Sequence, residues 1–187
     1  MATDAHETRA ILAAYKEVAD ALWPQLHPAM AERSRRWPTE DEATLRHDLA
    51  SYLRDSSQQT CPVRVFWKLG PQFVFGGCNE HFAHDAGLAT AAQLVGIDDF
   101  DRRLPWRHQA AKYRSDDKKV TANGQPNLDI VERQESTDGT ISWVRAGKSP
   151  IRTTDGRVLG VFGMYEVLDA ETGRKLFGDR IRKEKGA

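Results

Sequence analysis

Long apolar runs are missing from this chain: nowhere do enough consecutive apolar residues occur to span a bilayer. The N-terminus, MATDAHETRA, lacks the basic-then-apolar order of a secretory signal. Both features lead to the expectation of a cytoplasmic protein with no membrane partner. An excess of either charge is missing as well. Lys plus Arg and Asp plus Glu each number 27, so the formal net charge is zero. Nucleic-acid binders normally present a basic face, so no nucleic-acid partner is expected. Cysteine is scarce: Cys61 and Cys78 are the only two, in a compartment where disulfides are rare, and two cannot form a zinc quartet. Catalytic signatures are also lacking, with no glycine-rich phosphate loop, no nucleophile elbow and no paired metal motif. Asp116 and Asp117 are adjacent, so on a helix they diverge by about 100° and make no cooperating carboxylate pair. A solvated helix face is expected for both. The chain is therefore expected not to be an enzyme, with no catalytic residue and no metal site.

What is there suffices for one full domain with an appended element, since the chain has 187 residues. Asp4 and Glu7 make a capping box. Ile11, Tyr15, Val18, Leu22 and Leu26 then recur at helical spacing, until Pro24 and Pro28 interrupt the helix. A second box, Thr39 with Glu42, opens another helix whose stripe is Leu45, Leu49 and Tyr52 or Leu53. RDSSQQTCP reads as the linker that ends it. From Val63 the period changes to two. VRVFWKL, a Gly70-Pro71 turn and FVFGGC form a hairpin. Short helices fill the stretch from Asn79 to about Gly124, the longest starting at Pro105. Three more strands follow, NLDIVERQES, TISWVRAGKSPIRT and VLGVFGMYEV, joined by turns at Thr137–Gly139 and Thr154–Gly156. The end of the chain, LDAETGRKLFGDRIRKEKGA, is polar and is expected to form a short, fraying helix.

Strands segregated from a block of helices indicate an α+β fold with an antiparallel sheet. Three segments result: an N-terminal helical extension over 1–60, a domain over 61–168, and a polar C-terminal tail over 169–187. On the last strand Val158, Phe162 and Met164 alternate with Leu159, Val161, Tyr165 and Val167. Antiparallel sheets normally leave one face polar. Here both faces are apolar and need covering. The N-terminal helices, within one chain or exchanged in a homodimer, are expected over Leu159, Val161, Tyr165 and Val167.

From Val63 to about Val167 the chain resembles a PAS domain of the kind found in bacterial sensor histidine kinases and diguanylate cyclases. The resemblance rests on FWKL in the first strand and FGGCNEHFAHDAGL at the second strand and first helix. LVGIDDFDRRLPWRHQAAKYRSDD matches the central helices, and SWVRAGKSPIRTTDGRVLGVFGMYE the final hairpin. It implies a PAS-like five-stranded antiparallel sheet with helices on one face around a small cavity, and a role in signal transduction as a sensor or protein-interaction module. Where such domains run through an Asp-Ile-Thr-like segment into a signalling helix, this chain has LDAETGRKLF and stops at Ala187. No output domain is recognisable. The resemblance thus implies signalling through a separate output protein, or a fragment of a longer chain, and association as a homodimer.

Candidate chemistry centres on FVFGGCNEHFAHDAGL. His81 and His84 could share a helix face, but no partner lies at a metal-ligand spacing. Asn79 suits an N-cap, Phe82 a core position and Cys78 a small buried hydrophobe. The flavin-reactive Asn-Cys-Arg-Phe motif of light-sensing PAS domains is not present. His108 is the position for an axial histidine if haem binds, although so near a helix start it is expected to be exposed. No cofactor is otherwise expected. For an unspecified small molecule, the candidate pocket is Trp67, Phe82, Trp106, Tyr113, Trp143, Arg145, Phe162 and Met164, with Arg145 suited to a carboxylate. The competing expectation is that these aromatics fill the core and Arg145 pairs with an acid such as Glu132. Three functions stay open: a ligand-binding sensory module, a haem- or flavin-binding PAS sensor, and a ligand-free dimerisation adaptor.

Overall fold

The computed structural model describes residues 4–59, 63–135 and 138–186. Cys61 and part of the turn at Thr137–Gly139 lie outside them. The sheet comprises β1 (Arg64–Leu69), β2 (Val74–Cys78), β3 (Asn127–Glu135), β4 (Ile141–Arg152) and β5 (Val158–Leu168). Its order is β2-β1-β5-β4-β3, and every neighbouring pair is antiparallel. The expected strands, their α+β segregation and the hairpins are borne out. No helix among the described residues is long and apolar enough to cross a membrane.

Among the described residues, six α-helices accompany the sheet: α1 (Ala5–Leu22), α2 (Met30–Ser34), α3 (Glu42–Ser57), α4 (Glu80–Asp85), α5 (Ala110–Asn123) and α6 (Ala170–Lys185). Asp4 caps α1 by accepting from the Glu7 amide at 2.8 Å. Four boundaries differ from the sequence expectation, each because a tertiary contact competes with the local signal. Asp41, not Thr39, caps α3, accepting from the Thr44 amide at 2.8 Å. Arg9 reaches the Trp37 and Glu40 carbonyls and Arg33 holds Glu40, which keeps this stretch out of the helix. At its other end α3 continues through Ser57 instead of becoming a linker, because the buried Ser56 hydroxyl accepts from Asn79 at 3.0 Å. The long central helix starts at Ala110 rather than Pro105. Trp106, non-helical at φ −99° and ψ 12°, is buried and tied through its indole to Asp99. Finally, α6 is a helix of 16 residues rather than a short fraying one. Asp169 caps it, and Gly173 lets it lie directly on Trp143.

The sheet's two faces are assigned opposite to expectation. Val65, Trp67, Ile151, Phe162 and Met164 form one core with Ile11, Tyr15, Val18 and Leu45 of the N-terminal helices. The Tyr15 and Phe162 rings are 5.0 Å apart. Tyr165, Val144, Ala146 and Phe66 face the other way, toward α4 and the segment before α5, and Val161 joins Val120 and Phe73. Of the four residues expected under the N-terminal helices, only Leu159 packs there. Alternation divides a strand into two faces but does not say which helices cover each.

Candidate ligand site

Asn79 organises the approach to the site. Its side-chain oxygen accepts from the amides of Val65 and Phe82, both at 3.1 Å. Its amide nitrogen donates to Ser56 and to the Val63 carbonyl. This single buried residue caps α4, anchors β1 and ties both to α3. It also aims Phe82 into the space between sheet and helices, where the ring lies 4.8 Å from Phe66, 5.7 Å from Phe75 and 5.4 Å from Trp106.

There the packing leaves a cavity of about 50 Å³, walled by Phe66, Phe75, Phe82, Trp106, Tyr113 and Tyr165. That volume holds a few waters. Its polar end is a cluster of four charged side chains. Lys68 Nζ donates to Asp99 at 2.5 Å and to Asp117 at 2.7 Å, and Lys148 Nζ donates to the other oxygen of Asp117 at 2.6 Å. Trp106 Nε1 holds Asp99 at 3.1 Å. All four are buried, Asp117 completely. Burial pushes Asp117 upward, but Lys148 and Lys68 outweigh it and hold the carboxyl below its usual range. Burial likewise disfavours the Lys148 ammonium, and Asp117 reverses that and raises its pKa. Isolated buried charges are costly, so their survival here depends on this mutual pairing. A buried ionic cluster at a cavity wall is the kind of feature that marks functional sites.

Of the eight candidates from the sequence, Phe82, Trp106 and Tyr113 line the cavity, and Met164 borders it although it also belongs to the core under the N-terminal helices. The other four do not. Trp67 and Phe162 pack on the opposite face against the N-terminal helices. Trp143 lies under α6, its ring 5.2 Å from Phe177. Arg145 shares that outer face and pairs with Asp129 and Glu166, whereas Glu132 holds Lys112. The strand period that joined Arg145 to Trp143 was sound, but both point away from the cavity. Asp117 is the converse case. Asp116 is partly exposed as expected, while Asp117, one residue on, is in the interior. His108 is exposed in the turn before α5 and is not part of the cavity wall. Cys78 is buried among apolar neighbours, which push its thiol up to about 12. His81 is half-buried and His84 exposed. Lys68, Asp99, Asp117 and Lys148 were missed. The available signal was charge in apolar register: Lys68 follows Phe66 and Lys148 follows Ala146 on inward-facing positions, and Asp117 continues the Ala110, Tyr113, Val120 stripe.

A family model described as PAS fold matches residues 56–172, more than half of the chain. Among curated proteins there is no match. Several solved structures share the fold. VqmA of Vibrio cholera, described in a complex with ligand and DNA, aligns with TM-score 0.53 and 23% identity over 62% of this chain and 50% of that one. A phage VqmA–DPO complex aligns with TM-score 0.54 and 19% identity over 74% and 60%. A light-oxygen-voltage domain studied with a flavin analogue aligns with TM-score 0.50 and 12% identity over 76% and 97%. The match to the two VqmA proteins thus spans three-fifths of their length or less. The expectation of no nucleic-acid partner finds no support in these comparisons, since the Vibrio cholera structure is a complex with DNA.

Proposed function

The chain belongs to the PAS-fold family, and on that premise we propose that it is a cytoplasmic sensory module that binds a small molecule in the cavity between sheet and helices. It works by binding rather than catalysis, as a homodimer, and passes its state to a separate output protein. The observation that carries this reading is the cavity itself. Six aromatic rings line it, and at one end sits a paired, buried cluster of Lys68, Asp99, Asp117 and Lys148. A ligand-free adaptor needs no such cluster, because apolar residues of the same volume fill a core at equal or better stability. Ligand-bound VqmA of similar fold lends support.

The test is mass spectrometry of small molecules released from the natively purified protein, beside Ala146→Phe. Ala146 is buried in the cavity wall, and a ring there fills the space. A molecule that accompanies the natural protein and is lost from a folded Ala146→Phe protein is expected. Identical profiles from the two proteins would overturn the reading in favour of the adaptor. A Soret or flavin band that depends on His108 or on the cavity would favour the cofactor-binding alternative.

A further inference from the structure

Resting on that cavity-binding reading, we propose that the ligand is a compact, flat, uncharged molecule carrying a hydrogen-bond acceptor, and that the Lys68–Asp99–Asp117–Lys148 cluster selects it by charge balance. Flatness and size follow from the walls: the free space is only about 50 Å³ and lies between aromatic rings, so a molecule that enters must be compact and flat enough to slide between them. The acceptor follows from a donor count. An ammonium has three N–H donors and accepts nothing. Lys68 gives one to Asp99 and one to Asp117, and its nitrogen lies 5.0 Å from the Phe75 ring centroid. Lys148 gives one to Asp117. Two N–H groups of Lys148 therefore have no protein acceptor among the described residues, although the side chain is buried at the cavity wall. A ligand oxygen or ring nitrogen supplies what they lack.

Neutrality follows from the sign of the whole cluster. Two ammoniums already face two carboxylates, three ion pairs at 2.5–2.7 Å hold them, and Glu132, the other charged residue at the wall, is paired with Lys112. A carboxylate entering the cavity would leave one uncompensated negative charge out of water, and a cation one positive charge. Either is heavily disfavoured. The lysines here therefore act as donors to a neutral group and do not form an anion trap. Arg145, the cation the sequence offers for a carboxylate, is on the other face of the sheet.

Four probes on one ring frame separate the terms: benzamide, benzoate, benzylammonium and toluene, titrated against the full chain by ligand-observed NMR at neutral pH. Benzamide is expected to bind at least about tenfold tighter than the other three. Lys148→Met should weaken benzamide by about tenfold and leave toluene unchanged. Asp117→Asn keeps the shape but leaves one surplus positive charge, so the benzoate-to-benzamide affinity ratio should move about tenfold or more toward benzoate. Asp99→Asn makes the same change at the outer carboxylate should Asp117→Asn fail to fold. Benzoate, benzylammonium or toluene binding the natural protein as well as benzamide overturns the proposed class, and the cavity reading stands. So does binding of none of the four while a co-purifying molecule is still lost from Ala146→Phe. Failure of both experiments removes the cavity reading itself.

Discussion

His27 carries a pH dependence that belongs to a single side chain. It sits in the turn after α1, with its ring 4.8 Å from Tyr52 and its Nε2 2.8 Å from the Tyr15 hydroxyl. Burial lowers its pKa from 6.5 to about 4, against a smaller opposing pull from Asp55. The folded-state value lies below the unfolded one, so between these pH values the unfolded chain takes up the proton first. Stability contributed by neutral His27 is whole above pH 6.5 and drains away toward pH 4. Allowing for partial exposure, the loss is about 1–2 kcal/mol. Asp117, held below the usual carboxylate range by Lys148 and Lys68, adds an acid limb only further down. Urea unfolding at pH 7 and pH 4.5 should show a smaller difference in His27→Gln than in the natural protein. Parallel losses in the two would show that His27 does not carry the effect. The same scale shows why half of the site was illegible. A charged residue at an inward position reads, taken alone, as a solvated one. Lys68 and Asp117 are 49 residues apart, and Asp117 and Lys148 are 31 apart. No local window contains both a charge and what neutralises it.

At the scale of elements, the docking of α6 rests on one close approach. A Cβ added at Gly173 would stand 2.2 Å from Trp143 Cβ and 2.3 Å from its Cγ. The Trp143 Cβ is fixed to the β4 backbone and cannot swing aside. Gly173→Ala should therefore lift the helix off the sheet despite its better intrinsic helix propensity, at a cost of about 1–3 kcal/mol typical of overpacking. Hydrogen exchange should show faster exchange across Ala170–Lys185 with β1 and β5 unchanged. Unaltered protection in α6 would mean that the contact does not hold the helix. Elements divide cleanly by how much of their signal is local. Strands and hairpins were readable because a period of two and turn residues such as Gly70, Asp155 and Gly156 are properties of the segment itself. The start of α5 was not readable. Pro105 suits a first helical turn, but the Trp106–Asp99 bond overrides it and delays the helix to Ala110.

For the whole molecule, the decisive arrangement is the layer of N-terminal helices over one face of the sheet. Ile11, Tyr15 and Val18 of α1 and Leu45 of α3 are fully buried against Val65, Ile151, Phe162 and Met164. Gly147 permits this closeness, because a Cβ there would meet Leu22 and Val18 at 2.7 and 2.9 Å. The Ser149 hydroxyl, buried in β4, also bonds Glu17 of α1. The stripe expected to be covered within one chain or by exchange between subunits thus packs within the chain. Burial of each large apolar side chain contributes about 1.5–3 kcal/mol, so several uncovered together form an adhesive patch. Deletion of residues 1–58 should expose Val65, Trp67, Ile151, Phe162 and Met164 and remove Ser56 from Asn79. A marked fall in melting temperature, binding of a hydrophobic dye and concentration-dependent aggregation are the expected outcomes. The cavity lies on the opposite face and involves none of the deleted residues, so Lys148→Met in the full chain should show none of the dye binding. A truncated protein that stays monodisperse and melts where the full chain does would show that α1 and α3 are an appendage and that the sheet's second face is stable in water.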